Sequence, residues 1–110
     1  MSDIASRPEY GLFCDVVQKI VDVFAKHPNI FEVVLYGSRA KGDYKPGSDI
    51  DLTLKGKGVT LEQLNTISNE LDDLLLPYIF DLSIFDHIKN PDMLGHIGRV
   101  GRIFYKREQA

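Results

Sequence analysis

Two aspartates one residue apart, Asp49 and Asp51, sit in the run SDIDLTLKG, where Ile50, Leu52 and Leu54 alternate with Asp49, Asp51 and Thr53. Such alternation marks a β-strand, in which residues two apart point to one face, so the two carboxylates emerge side by side. Like charges held that close raise one another's pKa and destabilise the fold unless a cation lies between them. Oxygen-only donors of this kind suit Mg2+, which takes one or two carboxylates and fills its remaining positions with water and substrate phosphates. A pair of solvent-facing acids on an edge strand is the plainer explanation, and two further features weigh against it.

The first is Asp81, a third acid in the run YIFDLSIFD, flanked by Phe80 and Leu82. A carboxylate in so apolar a strand is costly unless matched, and pairing of that strand beside the first would bring Asp81 to the same cation. Asp86 is its rival. An odd separation of five residues puts Asp86 on the opposite face of a regular strand, where it caps or turns the strand end.

The second feature is Gly37-Ser38, where the apolar run IFEVVLYG ends. A glycine there lets backbone N–H groups approach phosphate oxygens, a helix N-terminus adds a favourable dipole, and Ser38 supplies a hydroxyl. The loop is not a P-loop, because the spacing G-x-x-x-x-G-K-[ST] does not occur in it. Lys41 and Lys45 in the same loop are either solvated surface cations or charges that offset phosphate. Phosphate chemistry is the leading reading.

The elements that must position these groups follow from periodicity. Ser6-Arg7-Pro8-Glu9 has capping-box spacing, and Phe13, Val16, Val17, Ile20, Val21 and Phe24 recur at helical intervals, predicting a helix over residues 8–26. IFEVVLYG reads as a strand covered on both faces. After the aspartate strand, Thr60 and Gln63 repeat the capping spacing ahead of a stripe of Leu61, Leu64, Ile67, Leu71, Leu74 and Leu75, closed by Pro77. Residues 78–86 form a third strand, Asn90-Pro91-Asp92 opens a short helix to about Arg99, and RIFYK adds an edge strand. The expected fold class is α/β, a small mixed sheet flanked by helices.

Composition bounds the rest. With 110 residues, 44% hydrophobic and 26% charged, the chain is expected to be a single domain over residues 1–110. The absence of a long apolar run and of a charged-then-apolar leader predicts a cytoplasmic protein with no membrane contact. Cys14 falls in the helical pattern and reads as a buried, inert thiol. The net charge of −3 argues against a general nucleic-acid coat. It conceals an asymmetry: residues 1–86 carry 8 Lys/Arg against 14 Asp/Glu, and residues 87–110 carry 5 against 2. The three histidines, His27, His87 and His96, are not spaced to share a metal, and Tyr36 reads as a core or rim aromatic.

Taken together, VVLYGSRAKGDYKPGSDIDL resembles the active-site signature of the nucleotidyltransferase superfamily that includes DNA polymerase β: a Gly-Ser at a strand end, an Asp-x-Asp about ten residues on, and a third acid in a later strand, here Asp81. The likeness is greatest to the minimal nucleotidyltransferases, stand-alone domains of this length. It implies the polymerase β-like fold, two Mg2+ ions held by Asp49, Asp51 and Asp81, and an NTP, most simply ATP, whose triphosphate is gripped by Gly37 and Ser38. Arg39 and Lys41 enter as phosphate contacts by position, and Asp81 as general base. The family also implies a partner. Minimal nucleotidyltransferases pair with small helical HEPN-type proteins in toxin–antitoxin systems, where the domain acts as antitoxin by transferring AMP to a tyrosine of the toxin. The alternative is a non-catalytic module that neutralises such a partner by contact. The basic C-terminal segment with Phe104 and Tyr105 is the candidate interface.

Overall fold

The run expected to be covered on both faces forms β1 (Ile30–Tyr36), an inner strand whose last four residues are all buried. In the computed structural model, which describes residues 10–108, β1 pairs antiparallel with β2 (Ile50–Gly56) on one side and with β4 (Arg102–Lys106) on the other. Beyond β2 lies β3 (Phe80–Ile84), parallel to it, giving the mixed order β3-β2-β1-β4. Parallel neighbours need a long crossover, and α3 (Leu61–Asp72) supplies it.

The sheet is covered unequally. On one face Ile50, Leu52, Leu54, Val33 and Leu35 pack with Ile20 and Phe24 of α1 (Cys14–Ala25) and with Ile67 and Leu71 of α3. Each large side chain buried there contributes about 1.5–3 kcal/mol. On the other face α4 (Pro91–Val100) lays Ile97 against Val34 and Tyr36. The shorter cover of α4 leaves the β1–β2–β3 end of that face open for chemistry.

Several sequence expectations shift. The first helix begins at Cys14, not at residue 8, because Tyr10 and Gly11 take positive φ of 57° and 77° and turn the chain. Its expected capping residues Ser6 to Glu9 lie outside the described residues. Cys14, placed there in the first turn, is half-buried instead of buried. Thr60 does cap α3, its side chain accepting from Gln63 N at 3.1 Å. The Gln63 amide does not reciprocate; it exchanges two 2.8 Å hydrogen bonds with Asn29 and reaches His27 Nδ1 at 3.1 Å, tying the end of α1 to α3. The helix stops at Asp72, so Leu75, expected in its buried stripe, turns through a positive φ and lies 88% exposed. The third strand is shorter than 78–86, and Asp86 falls in a 3-10 turn, Phe85–His87. Phe104 and Tyr105, expected at an interface, instead pack into the core, against Tyr10 and Phe24 respectively.

Candidate active site

Strand register builds the site. Tyr36 is opposite Asp51 across the β1–β2 pair, and Asp51 is opposite Asp81 across the β2–β3 pair. Neighbouring strands lie about 4.8 Å apart, so a phenol and two carboxylates form a row across three strands. Asp49 precedes β2 on the same side and is exposed. The start of β2 is held against β3 by Ile50 N donating to Ile79 O at 2.9 Å.

Asp51 is half-buried in this row, and the environment pushes its carboxyl up to about 6: burial first, then the charges of Asp81 and Asp49, and a hydrogen bond with Asp81. The Tyr36 phenol is pushed above its ordinary value, chiefly by burial, with Asp81 and Asp51 adding and the Ser83 hydroxyl opposing. The site therefore concentrates negative charge at a price in electrostatic free energy that a cation would relieve.

Beside the row the chain leaves β1 through Gly37, with φ 78° and ψ −158°. A side chain there would strike Asp51 Oδ2, so only glycine lets the turn back onto that carboxylate. The single-turn helix α2 (Ser38–Lys41) follows, its end tied by Lys41 N to Gly37 O at 3.0 Å and Gly42 N to Ser38 O at 2.9 Å. A helix's first turn leaves its N–H groups without intrahelical acceptors, which here are those of Ser38, Arg39 and Ala40. Ser38 is half-buried beside them.

The two cations of this helix behave differently. Lys41 is exposed and pairs loosely with Asp43, Nζ to Oδ2 at 3.5 Å. Such a pair is worth little and leaves the ammonium available to phosphate. Arg39, expected as a phosphate contact, is 2% exposed and does not face the site. Its guanidinium donates to Ser48 O (2.9 and 3.1 Å), Tyr10 O (2.8 Å) and Pro46 O (3.3 Å), with the rings of Tyr44 and Tyr78 within 5.4 and 5.2 Å. Its donors are taken up by carbonyls, and its task is to hold the loop that delivers Asp49.

A cleft of about 470 Å3 opens over the row, lined by Tyr36, Gly37, Asp51 and Asp81 from the sheet and by Asn90, Asp92, Met93 and His96 from the start of α4. The sequence reading missed this second wall. Asn90 was legible as a cap, and its side chain accepts from Asp92 N at 2.8 Å, but nothing local says that α4 folds back over β1. His96 accepts from Gly37 N at 3.2 Å and stands edge-on to Tyr36.

Among the described residues no group of three or more His, Cys, Asp or Glu side chains converges to metal-holding distance. The residues present nonetheless fit a divalent cation: Asp51 and Asp81 face each other at one register position, exposed Asp49 is near enough for its charge to act on Asp51, and every donor is a carboxylate oxygen. Also among the described residues, no helix is long and apolar enough to cross a membrane.

The comparisons with known proteins bear on the fold and the family. No curated protein matches the chain significantly by sequence. In fold, it is similar to a chain of a toxin–antitoxin complex crystallised with AMP-PNP (TM-score 0.68, 18% identity, 84% of this chain and 75% of that one). It is similar to a chain of the complex between tri-AMPylated Shewanella oneidensis HEPN toxin and MNT antitoxin (TM-score 0.62, 15% identity, 84% and 71%). A third similar structure is a candidate nucleotidyltransferase from Sulfolobus solfataricus (TM-score 0.55, 25% identity, 87% and 82%). The family model described as polymerase beta, nucleotidyltransferase matches residues 18–110, from within α1 to the C-terminus and across the whole aspartate row, and the chain belongs to that family.

Proposed function

We propose that the protein is a Mg2+-dependent nucleotidyltransferase that moves AMP from ATP onto a hydroxyl, a tyrosine of a small helical HEPN-type partner, and so acts as an antitoxin. The observation that supports this reading is the abutment of Gly37 on Asp51, a glycine turn lying directly beside two facing carboxylates. The AMP-PNP and the AMPylated HEPN toxin of the similar complexes support the nucleotide and the acceptor.

In this reading Asp49, Asp51 and Asp81 hold two Mg2+ ions. Bound there, the metal supplies a lowered pKa at the acceptor hydroxyl and charge neutralisation at the leaving pyrophosphate. The chain's own residues do the rest. The first-turn N–H groups after Gly37, with the Ser38 hydroxyl and Lys41, grip the triphosphate. Asp81, exposed on the edge strand, faces the acceptor and takes its proton. Asp51, the more buried of the row's two carboxylates, stays fixed between its neighbours.

The origin of the transferred group tests the reaction. With Mg2+ and a co-purifying HEPN-type protein, label should pass to the partner from ATP carrying it at the α-phosphorus and not from ATP carrying it at the γ-phosphorus. Label from the γ position would make the protein a kinase and overturn the reading.

A further inference from the structure

The N–H of Gly37 is not open to a ligand. It donates to His96 Nε2 at 3.2 Å, across 59 residues of sequence, and the same imidazole stands edge-on to the Tyr36 ring at 6.1 Å and 83°. His96 therefore holds two successive residues at the point where β1 becomes the turn. As an acceptor its Nε2 carries no proton, which in the neutral ring leaves the hydrogen on Nδ1. Gly37 benefits from such a hold, because a glycine free to take either sign of φ does not by itself fix the turn against Asp51.

We propose that His96 is a positioning residue for nucleotide binding: through the Gly37 N–H it fixes the turn that grips the triphosphate and joins α4 to it as the second wall of the cleft. This rests on the nucleotidyltransferase reading for its consequence, and on the hydrogen bond alone for its mechanism. The phosphates are left to the N–H groups that follow Gly37. Gly37 itself acts as a pivot.

The test uses His96→Ala and His96→Gln, the latter able to offer an amide oxygen to the same N–H. In the apo protein, exchange of the Gly37 amide should speed up about tenfold in His96→Ala, the upper end of what one hydrogen bond holds, and return toward wild type in His96→Gln. In transfer assays with MgATP, His96→Ala should raise KM for ATP by about tenfold and leave kcat within about twofold, since the turn grips ground and transition states alike. Long-range 1H–15N correlation on wild type adds a reading that needs no variant: it should show Nδ1 protonated and Nε2 bare.

A protonated Nε2 in the wild-type protein, or Gly37 exchange and KM both unchanged in a folded His96→Ala, would overturn the proposal. So would a fall in kcat at unchanged KM, which would put His96 in the chemical step. If wild type transfers nothing, the function reading fails, while amide exchange and the tautomer still decide the role of His96.

Discussion

Asp51 and Asp81 are partners at one register position of two parallel strands, which sets their carboxylates side by side. Burial of Asp51, and after it the charges of Asp81 and Asp49, push its carboxyl up to about 6. The pair is a site built at the expense of the fold, and its costs are measurable.

The first cost appears as pH dependence. A carboxyl whose pKa is higher in the folded than in the unfolded state binds more protons when folded, so its contribution to stability falls as pH rises. For Asp51 the window runs from the ordinary value of 3.8 to about 6. Between those limits the metal-free protein should lose about 1 kcal/mol from this group, after discounting for the solvent screening that its partial exposure allows. Urea denaturation of wild type and Asp51→Asn in chelator at pH 4.5 and 7 checks this. The difference between the two proteins should change in favour of the Asn variant at the higher pH.

Metal with nucleotide should reverse that cost. Binding only to the native state at about 100 times Kd adds roughly 2.7 kcal/mol, so the melting temperature should rise with MgATP and fall back on chelation. Asp49→Asn with Asp51→Asn should melt no lower than wild type without metal and should not respond to MgATP. A metal-free double variant that melts lower would contradict the view that these carboxylates are held together at a cost.

Gly37→Ala should damage fold and site together. A left-handed φ costs an L-residue about 1–2 kcal/mol, and the added carbon would strike Asp51 Oδ2. A loss on the order of 2 kcal/mol or more by urea denaturation is expected, with transfer abolished even where the variant remains folded.

Arg39 should matter to stability far more than an exposed cation would. Arg39→Lys cannot reproduce the guanidinium's set of bonds to Ser48, Pro46 and Tyr10. The carbonyls left without donors cost on the order of 2 kcal/mol, readable by urea denaturation. Lys41→Ala should cost almost nothing in stability, because its pair with Asp43 is exposed, and should weaken nucleotide binding.

What could be read in advance was what local periodicity determines. The alternation of SDIDLTL gave β2, and the odd spacing of Asp81 and Asp86 separated the residue in the row from the residue in the 3-10 turn. Arg39 was misread because its position after Gly-Ser says nothing about burial; its partners come from residue 10 and from the loop of residues 46–48. His96 was passed over for the same reason, since its bond to Gly37 depends on α4 lying over β1. The helix start at Cys14 depends on the left-handed Tyr10 and Gly11, where a Cβ on Gly11 would meet Tyr44 and Arg39. Each of these misses is a contact between segments that periodicity does not connect.

The most direct test of the central claim is intact-mass spectrometry of a co-purified HEPN-type partner incubated with Mg2+ and ATP, with wild type and the Asp49/Asp51 double Asn variant in parallel. The account predicts an added AMP mass with wild type and none with the variant. A stable complex in both cases with no added mass would contradict it, and would leave a module that neutralises its partner by contact.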